Sequence, residues 1–315
     1  MDILVTGGAG FIGSNFLAKF CTDQKNKITV VDELNSLLYA DTYKRNRIEN
    51  LAKFENIEFY QADICNLPDS ITERKFDIIV NFAALPGQLL SWDEIDKYSH
   101  SNLVGVGTLL QRLVVGNETK FIQLSTSSVY GKMAEGDEQS PCIPYSPYGV
   151  TKKAAEDLII AFANNFQIDY LIFRPFSVFG PGQRPDMAVH KFLHKIKNGI
   201  PIEIYGDGLQ SRSMTSVHQI VNALVNAVNS KSAERQDRIF NLAANNSISA
   251  LELINLCEKV VGKKAIKVHI PKPPGDQLKT KGNSLKAVEE FDFESRIDIL
   301  EVIKQQFESM KHAGI

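Results

Sequence analysis

With 315 residues, 43% of them hydrophobic and 23% charged, the chain is long enough to bury a large core and to form two lobes. Its 35 Lys and Arg stand against 37 Asp and Glu, so no overall basic field recommends nucleic acid or a membrane surface as its partner. Four scattered cysteines (Cys21, Cys65, Cys142, Cys257) with no CxxC pair argue against a disulfide framework or a zinc site.

The chain opens on the apolar run DILV, which reads as a buried strand, followed by TGGAGFIG and then FLAKF, which reads as a helix. Gly7, Gly10 and Gly13 therefore fall at a strand-to-helix turn. Gly7 permits the tight bend, Gly10 lets a pyrophosphate approach the backbone, and Gly13 lets helix and strand pack closely, while the helix N-terminus favours phosphate charge. A second strand, KITVV, ends in Asp32, nineteen residues after Gly13, where an acid binds adenosine ribose hydroxyls. An anion there repels a 2′-phosphate, which favours NAD over NADP. Asp63 and Ile64 follow the strand IEFYQ and either hold the adenine or simply end the strand. With no signal-peptide pattern and no apolar run near eighteen residues, neither export nor a membrane span is expected, and a cytoplasmic setting is.

Strand patterns recur at 3–5, 28–31, 57–60, 78–82, 121–124 and 170–173, separated by helical spacing at 42–54, 103–115 and 147–165. This α/β alternation predicts a doubly wound parallel sheet with helices on both faces and the cofactor at the carboxyl ends of the strands. From Pro175 the composition turns rich in Gly and Pro around a helix at 187–197, predicting a smaller lobe over the sheet's edge. A helix at 217–228 and a strand at 238–241 are expected to return to the first domain. The expected division is therefore a dinucleotide-binding domain over 1–173, rejoined by 213–242, and a discontinuous substrate lobe within 174–315, mainly 174–212 and 243–315. His190 and His194 sit four apart on one helix with no third ligand in view, so a solvent-facing pair is expected rather than a metal site.

Tyr148 and Lys152 share a helix face, and Thr126 stands where the strand FIQL ends, on the expected cofactor side. A phenol with an ordinary pKa of about 10 becomes a useful base near neutrality only with about 4 kcal/mol of differential stabilisation, which Lys152 and a positive nicotinamide ring are expected to supply. The phenolate then removes a sugar hydroxyl proton as hydride leaves the same carbon, with Thr126 hydrogen-bonding the hydroxyl.

Together TGGAGFIG, NFAA, STSSVYG, SPYGVTK, RPFSVFGPGQRPDMA, GDGLQSR and PPGDQ resemble the extended short-chain dehydrogenase/reductase family of NAD-dependent nucleotide-sugar epimerases and dehydratases, over essentially the whole chain. The resemblance implies a Rossmann-like fold and NAD as cofactor. By position it implies Thr126, Tyr148 and Lys152 as catalytic residues. Gly7, Gly10, Phe11, Ile12, Gly13, Asp32, Asp63, Ile64 and Ala83 are implied as NAD contacts beside Tyr148 and Lys152. Ser127, Ser177, Arg184, Arg212 and Asp276 are implied on the substrate side, with Arg212 on the diphosphate.

Dehydratases and glucuronate decarboxylases of this family resemble T-D-E-V-Y-G and T-S-E-V-Y-G at this site, whereas this chain has Thr126-Ser127-Ser128. Serines offer no accessible pKa for removing a proton from carbon, which leaves simple 4-epimerisation. The stretch from Gly182 to Ala188 is similar to that of UDP-glucuronate 4-epimerases, and Arg184 with Ser177 suits a sugar carboxylate. Alternatively Arg184 binds the diphosphate or closes a loop. Departures from the family pattern at Asn81 (usually His), Leu89 (often Arg in glucuronate epimerases) and Arg212-Ser213-Met214 bear on the sugar rather than on the redox chemistry.

The expectation is an NAD-dependent 4-epimerase of a nucleotide sugar, with UDP-hexuronate the preferred substrate and a part in surface polysaccharide precursor synthesis. The alternatives are a dehydratase or ketoreductase on the same fold, an epimerase of a neutral or N-acetylated UDP-hexose, and a silent NAD-binding scaffold. Wide apolar faces at Leu109, Leu110 and Leu113 and at Leu158, Ile159, Ile160 and Phe162 suggest a homodimer packed through two helices.

Overall fold

Seven short runs of β-branched and other apolar residues pair side by side in the computed structural model, which describes residues 1–116, 118–230 and 237–313. They are β1 (Asp2–Thr6), β2 (Lys27–Asp32), β3 (Ile57–Gln61), β4 (Ile78–Asn81), β5 (Lys120–Leu124), β6 (Asp169–Pro175) and β7 (Ile239–Leu242). Every neighbouring pair is parallel, in the order β7-β6-β5-β4-β1-β2-β3. The order reverses at β1, so the chain leaves β1 and β4 toward opposite faces and opens a crevice at their carboxyl ends.

Alternation along each strand decides which helices cover which face. Ile3, Val5, Ile28, Val30, Ile78, Val80 and Ile122 pack with the helices Phe11–Phe20 and Val217–Asn229. Leu4, Val31, Ile79 and Phe121 pack on the other side against Val106, Leu109, Leu110, Leu113, Ala155 and Ile159. Phe16, Phe121, Phe173 and Phe240 are fully buried, each contributing about 1.5–3 kcal/mol of hydrophobic stabilisation.

The helix expected at 103–115 begins earlier, running over 95–114 in alternating α and π turns. Its polar first stretch hides its helicity in the sequence; burial of Tyr98 anchors it. Leu109, Leu110, Leu113 and Ile159, read as partly available to a second subunit, lie in the chain's own core, which leaves Leu158, Ile160 and Phe162 partly exposed. The helix Ala188–Asn198 also departs from expectation at His190. That side chain is buried, with Nδ1 3.2 Å from the Gln183 carbonyl, because the 180–187 loop folds over the start of the helix.

A third core joins Phe179, Val189, Leu193, Ile196, Ile204, Leu253, Ile254, Ile303 and Phe307 beside the sheet. A small sheet links this region to the rest: Met133–Gly136 pairs in parallel with Lys279–Gly282, which pairs with Ser211–Arg212. Residues 231–236, within the segment expected to return to the first domain, and 314–315, at the end of the expected lobe, lie outside the described residues. No helix among the described residues is long and apolar enough to cross a membrane.

Candidate active site

At the carboxyl end of β1 the chain turns through Gly7, whose φ is +70°. A Cβ there would sit 2.5 Å from the Ala83 nitrogen, and one on Gly13 would sit 2.5 Å from the Gly7 carbonyl oxygen, so both positions exclude any side chain. Gly10 caps the helix Phe11–Phe20 without a capping side chain, and Gly10, Phe11, Ile12 and Gly13 line the cleft. The opening turn of that helix thus presents backbone N–H groups and the positive end of the helix dipole to an anion, which fits a dinucleotide's pyrophosphate.

Asp32, buried at the end of β2, accepts the Ala9 N–H (3.0 Å) on one oxygen and the Leu34 N–H (2.8 Å) on the other. Its carboxylate is thereby fixed against the glycine turn, with Lys44 Nζ 3.9 Å away. At the far end of the same cleft Asp63 accepts the Cys65 N–H (2.9 Å) and meets His100 Nε2 (2.9 Å). Burial works against the Asp63 charge, but these contacts hold its carboxyl below the ordinary value. Asp63, Cys65 and His100 bring three possible metal-ligating atoms within 4.8 Å of one another, a proximity the sequence did not disclose. The Asp63–His100 hydrogen bond and the Cys65 Sγ contact to the His100 carbonyl (3.3 Å) account for it.

Thr126 lies just past β5, where its Oγ1 accepts the Ser128 N–H (3.1 Å) and starts a short turn over Ser127–Tyr130. The helix Pro147–Phe166 opens with Pro147 after Ser146, whose hydroxyl accepts the Gly149 N–H at 3.2 Å. A Cβ on Gly149 would lie 2.7 Å from the Ser128 carbonyl oxygen. That close approach brings Tyr148 up beside Thr126, whose hydroxyl acts to lower the phenol's pKa. The buried Tyr98 ring meets Tyr148 edge-on, with centroids 6.2 Å apart.

Burial raises the Tyr148 phenol above its ordinary value, against the opposing effects of the Thr126 hydroxyl and the Arg184 charge. This differs from the expected lowering by Lys152. Lys152 Nζ instead donates to the Leu124 carbonyl at 2.8 Å, and burial brings its pKa down to about 8 against the pull of Glu156. In the protein alone Tyr148 is therefore not a ready base at neutral pH.

On the opposite wall Arg184 makes a two-pronged contact with Asp186, Nε to Oδ1 at 2.9 Å and Nη2 to Oδ2 at 2.7 Å. Arg212 donates to Asp276 Oδ1 (2.9 Å) and to the Gln277 carbonyl (2.6 Å). Burial raises the Asp276 carboxyl, partly offset by Arg212, and its Oδ2 is buried with no hydrogen-bond partner among the described residues.

All the residues expected at the site, from Gly7, Asp32, Asp63, Ile64 and Ala83 through Thr126, Ser127, Tyr148 and Lys152 to Ser177, Arg184, Arg212 and Asp276, line one cleft of about 690 Å3. The same cleft takes in Tyr39, Lys44, Gln88, Ser128, Asp186 and Gln277, to which the sequence assigned no role. Ser128, Asp186 and Gln277 stood inside quoted motifs, which was their only signal. Gln88 carries none, yet its Nε2 spans the cleft to Ser128 Oγ (3.0 Å) and Gln277 Oε1 (3.1 Å).

The sequence pattern of the NAD dependent epimerase/dehydratase family matches residues 3–243. The chain is 32% identical over 308 residues to a UDP-glucuronate 4-epimerase of Thermodesulfobacterium geofontis, covering 96% of this chain and 94% of that protein. A crystal structure of UDP-glucuronic acid 4-epimerase from Bacillus cereus, in complex with UDP-glucuronic acid and NAD, superposes with a TM-score of 0.93 at 31% identity, covering 99% of this chain and all of that one. A dTDP-glucose 4,6-dehydratase from Streptomyces venezuelae superposes with a TM-score of 0.90 over 99% of this chain and 97% of its own, but at 23% identity the likeness extends to the fold alone.

Proposed function

Because the chain belongs to the NAD-dependent epimerase/dehydratase family, we propose that it is an NAD-dependent 4-epimerase of a UDP-hexuronate, interconverting UDP-glucuronate and UDP-galacturonate. The observation that carries this reading is the meeting of Thr126, Tyr148 and Lys152 with the glycine turn in one cleft, where serines rather than carboxylates flank Thr126. Of the carboxylates on the opposite wall, Asp186 has both oxygens held by Arg184, so it is not a ready base for elimination, and Asp276 is paired with Arg212.

The glycine turn, Asp32, Asp63, Ile64 and Ala83 hold NAD, which when bound accepts hydride from the sugar's C4 and returns it. Tyr148 takes the C4 hydroxyl proton on its phenolate oxygen and gives it back on the return step. Thr126 orients that hydroxyl through Oγ1, and the Lys152 ammonium supports the phenolate. Arg212 engages the sugar nucleotide's diphosphate, with Asp276 beside it on the substrate side, in the lobe formed by 174–212 and 243–315. Oxidation at C4 of a hexuronate gives a β-keto acid, which loses carbon dioxide when its carboxylate stands perpendicular to the carbonyl plane. Arg184 uses its remaining N–H groups, with Ser127 and Ser177, to hold that carboxylate out of this geometry.

Replacing Arg184 by Gln removes a charged hydrogen bond to the carboxylate, so kcat/KM for UDP-glucuronate is expected to fall by about 10- to 100-fold. UDP-glucose turnover, where any exists, should change much less, and a UDP-pentose should appear among the products. Equal losses on both sugars would place Arg184 on the diphosphate instead.

The proposal extends to a homodimer in the cytoplasm, feeding surface polysaccharide synthesis, which sedimentation and pathway reconstitution test. The direct experiment on function is to incubate purified protein with UDP-glucuronate and NAD+, resolve the nucleotide sugars by NMR, and follow NADH absorbance. UDP-galacturonate without lasting NADH is the expected result. A keto-sugar, or accumulated NADH, overturns the epimerase reading in favour of dehydratase or net redox chemistry.

A further inference from the structure

Three buried polar side chains stand side by side at the carboxyl end of the sheet: Thr6 on β1, Asn81 on β4 and Gln123 on β5. They are in register, Thr6 opposite Asn81 and Asn81 opposite Gln123. The Thr6 hydroxyl (2.5 Å) and the Ala83 N–H (3.1 Å) both donate to Asn81 Oδ1, and Asn81 Nδ2 donates to Gln123 Oε1 at 2.8 Å. Gln123 Nε2 then donates to the Leu124 carbonyl at 2.9 Å, the same oxygen that receives Lys152 Nζ at 2.8 Å.

Both ends fix the direction of this ladder. The Ala83 N–H can only donate and the Leu124 carbonyl can only accept, so turning either amide over sets oxygen against oxygen or N–H against N–H. The same-face neighbours two residues earlier on these strands, Ile79 and Phe121, are apolar and buried, so packing alone does not call for amides here. Buried polar groups are expensive unless fully satisfied, and these two amides have both ends engaged. One end of the ladder touches the cofactor side, since a Cβ on Gly7 would lie 2.5 Å from the Ala83 nitrogen that Asn81 holds. The other end reaches the lysine beneath Tyr148.

We propose that Asn81 and Gln123 are positioning residues for Lys152, holding the Leu124 carbonyl, and through it the lysine ammonium, in register with the nucleotide turn. The inference rests on the roles proposed above for Tyr148 and Lys152. The amides touch no substrate; they act through the carbonyl that the lysine shares.

The test uses Gln123→Met, which keeps the side-chain length and removes the donor to Leu124, together with Asn81→Asp. The aspartate cannot donate to Gln123 Oε1, so it draws Gln123 Nε2 to itself and turns an oxygen toward the Leu124 carbonyl. In each variant kcat is expected to fall by about tenfold with KM for the sugar nucleotide within about twofold, the signature of a group acting in the transition state. The acid limb of the kcat profile should move up by about half a pH unit or more, because a displaced Lys152 supports the phenolate less. A purely structural role lowers thermal stability and leaves that limb in place. Lys152→Met, run alongside, separates the two ideas. If it turns over normally, the proposed chemistry itself is wrong. If it is inactive while both amide variants keep the parent kcat and acid limb, the ladder inference alone is overturned. Should one amide variant not fold, the other, with Thr6→Val, is read by the same criteria.

Discussion

Tyr148→Phe is expected to lose about 10^2- to 10^4-fold in kcat for epimerisation, the range associated with a positioned general acid or base, while NAD stays bound. The change removes one oxygen and keeps the ring, and the glycine turn and Asp32 are untouched, so cofactor binding measured by fluorescence titration should be nearly unchanged. Retention of more than a tenth of the parent rate would remove Tyr148 from the mechanism. The pH profile carries a second signature. Burial raises the phenol in the protein alone, but with the positive nicotinamide ring beside it the phenol is expected to ionise below the pKa of Lys152, so activity rises with pH as Tyr148 loses its proton. Lys152, lowered to about 8, is cationic below that pH and neutral above it, so its support for the phenolate fades as pH rises further. The profile is therefore expected to be bell-shaped, with its alkaline limb near pH 8. Lys152→Arg, whose charge does not titrate in this range, should flatten the alkaline limb at a lower overall rate.

The largest effect on stability is expected at Arg174→Met. Arg174 at the end of β6 and Glu156 on the helix Pro147–Phe166 form a buried pair, with side chains 3% and 1% exposed and contacts of 3.0 and 2.6 Å. Burial works against the guanidinium charge, yet Glu156 and Tyr130 hold its pKa above the ordinary value. Ser125 donates to the same carboxylate, and Tyr130, which receives Arg174 Nη1 at 2.8 Å, passes a hydrogen bond to Asn241 on β7. Removing the arginine alone strands a buried carboxylate and should destabilise the chain by about 3–5 kcal/mol. Replacing Glu156 by Leu in the same chain should restore much of that loss, since no uncompensated charge then remains. Urea unfolding of the single and double variants measures both. A loss below about 1 kcal/mol in the single variant would show that water reaches the carboxylate.

The residues differ in how far their neighbours along the chain foretold their place. Gly7 and Gly13 were legible because a tight turn and a close helix approach are requirements of the local backbone. Tyr148 and Lys152 were legible because four residues make about one helical turn. The seven-stranded sheet agrees with the expected alternation. His190 was misjudged as solvent-facing, because its burial comes from a loop folding over its helix. The homodimer argument drew on Leu109 and Ile159, whose apolar character is spent on the chain's own core. Asp186 beside Arg184 lay two residues away in plain view, but sequence does not tell whether neighbouring charges face each other or diverge.

The sequence by itself determined the α/β class, the dinucleotide turn and the types of group at the reactive end, since φ preferences, strand alternation and helical spacing act between near neighbours. The tertiary structure alone decided protonation and partnership: that burial, with no cofactor charge, raises Tyr148, that Lys152 rests on the Leu124 carbonyl, and that Asn81 and Gln123 stand behind it. These depend on burial and on contacts between residues dozens of positions apart, and only the assembled sheet brings such residues together.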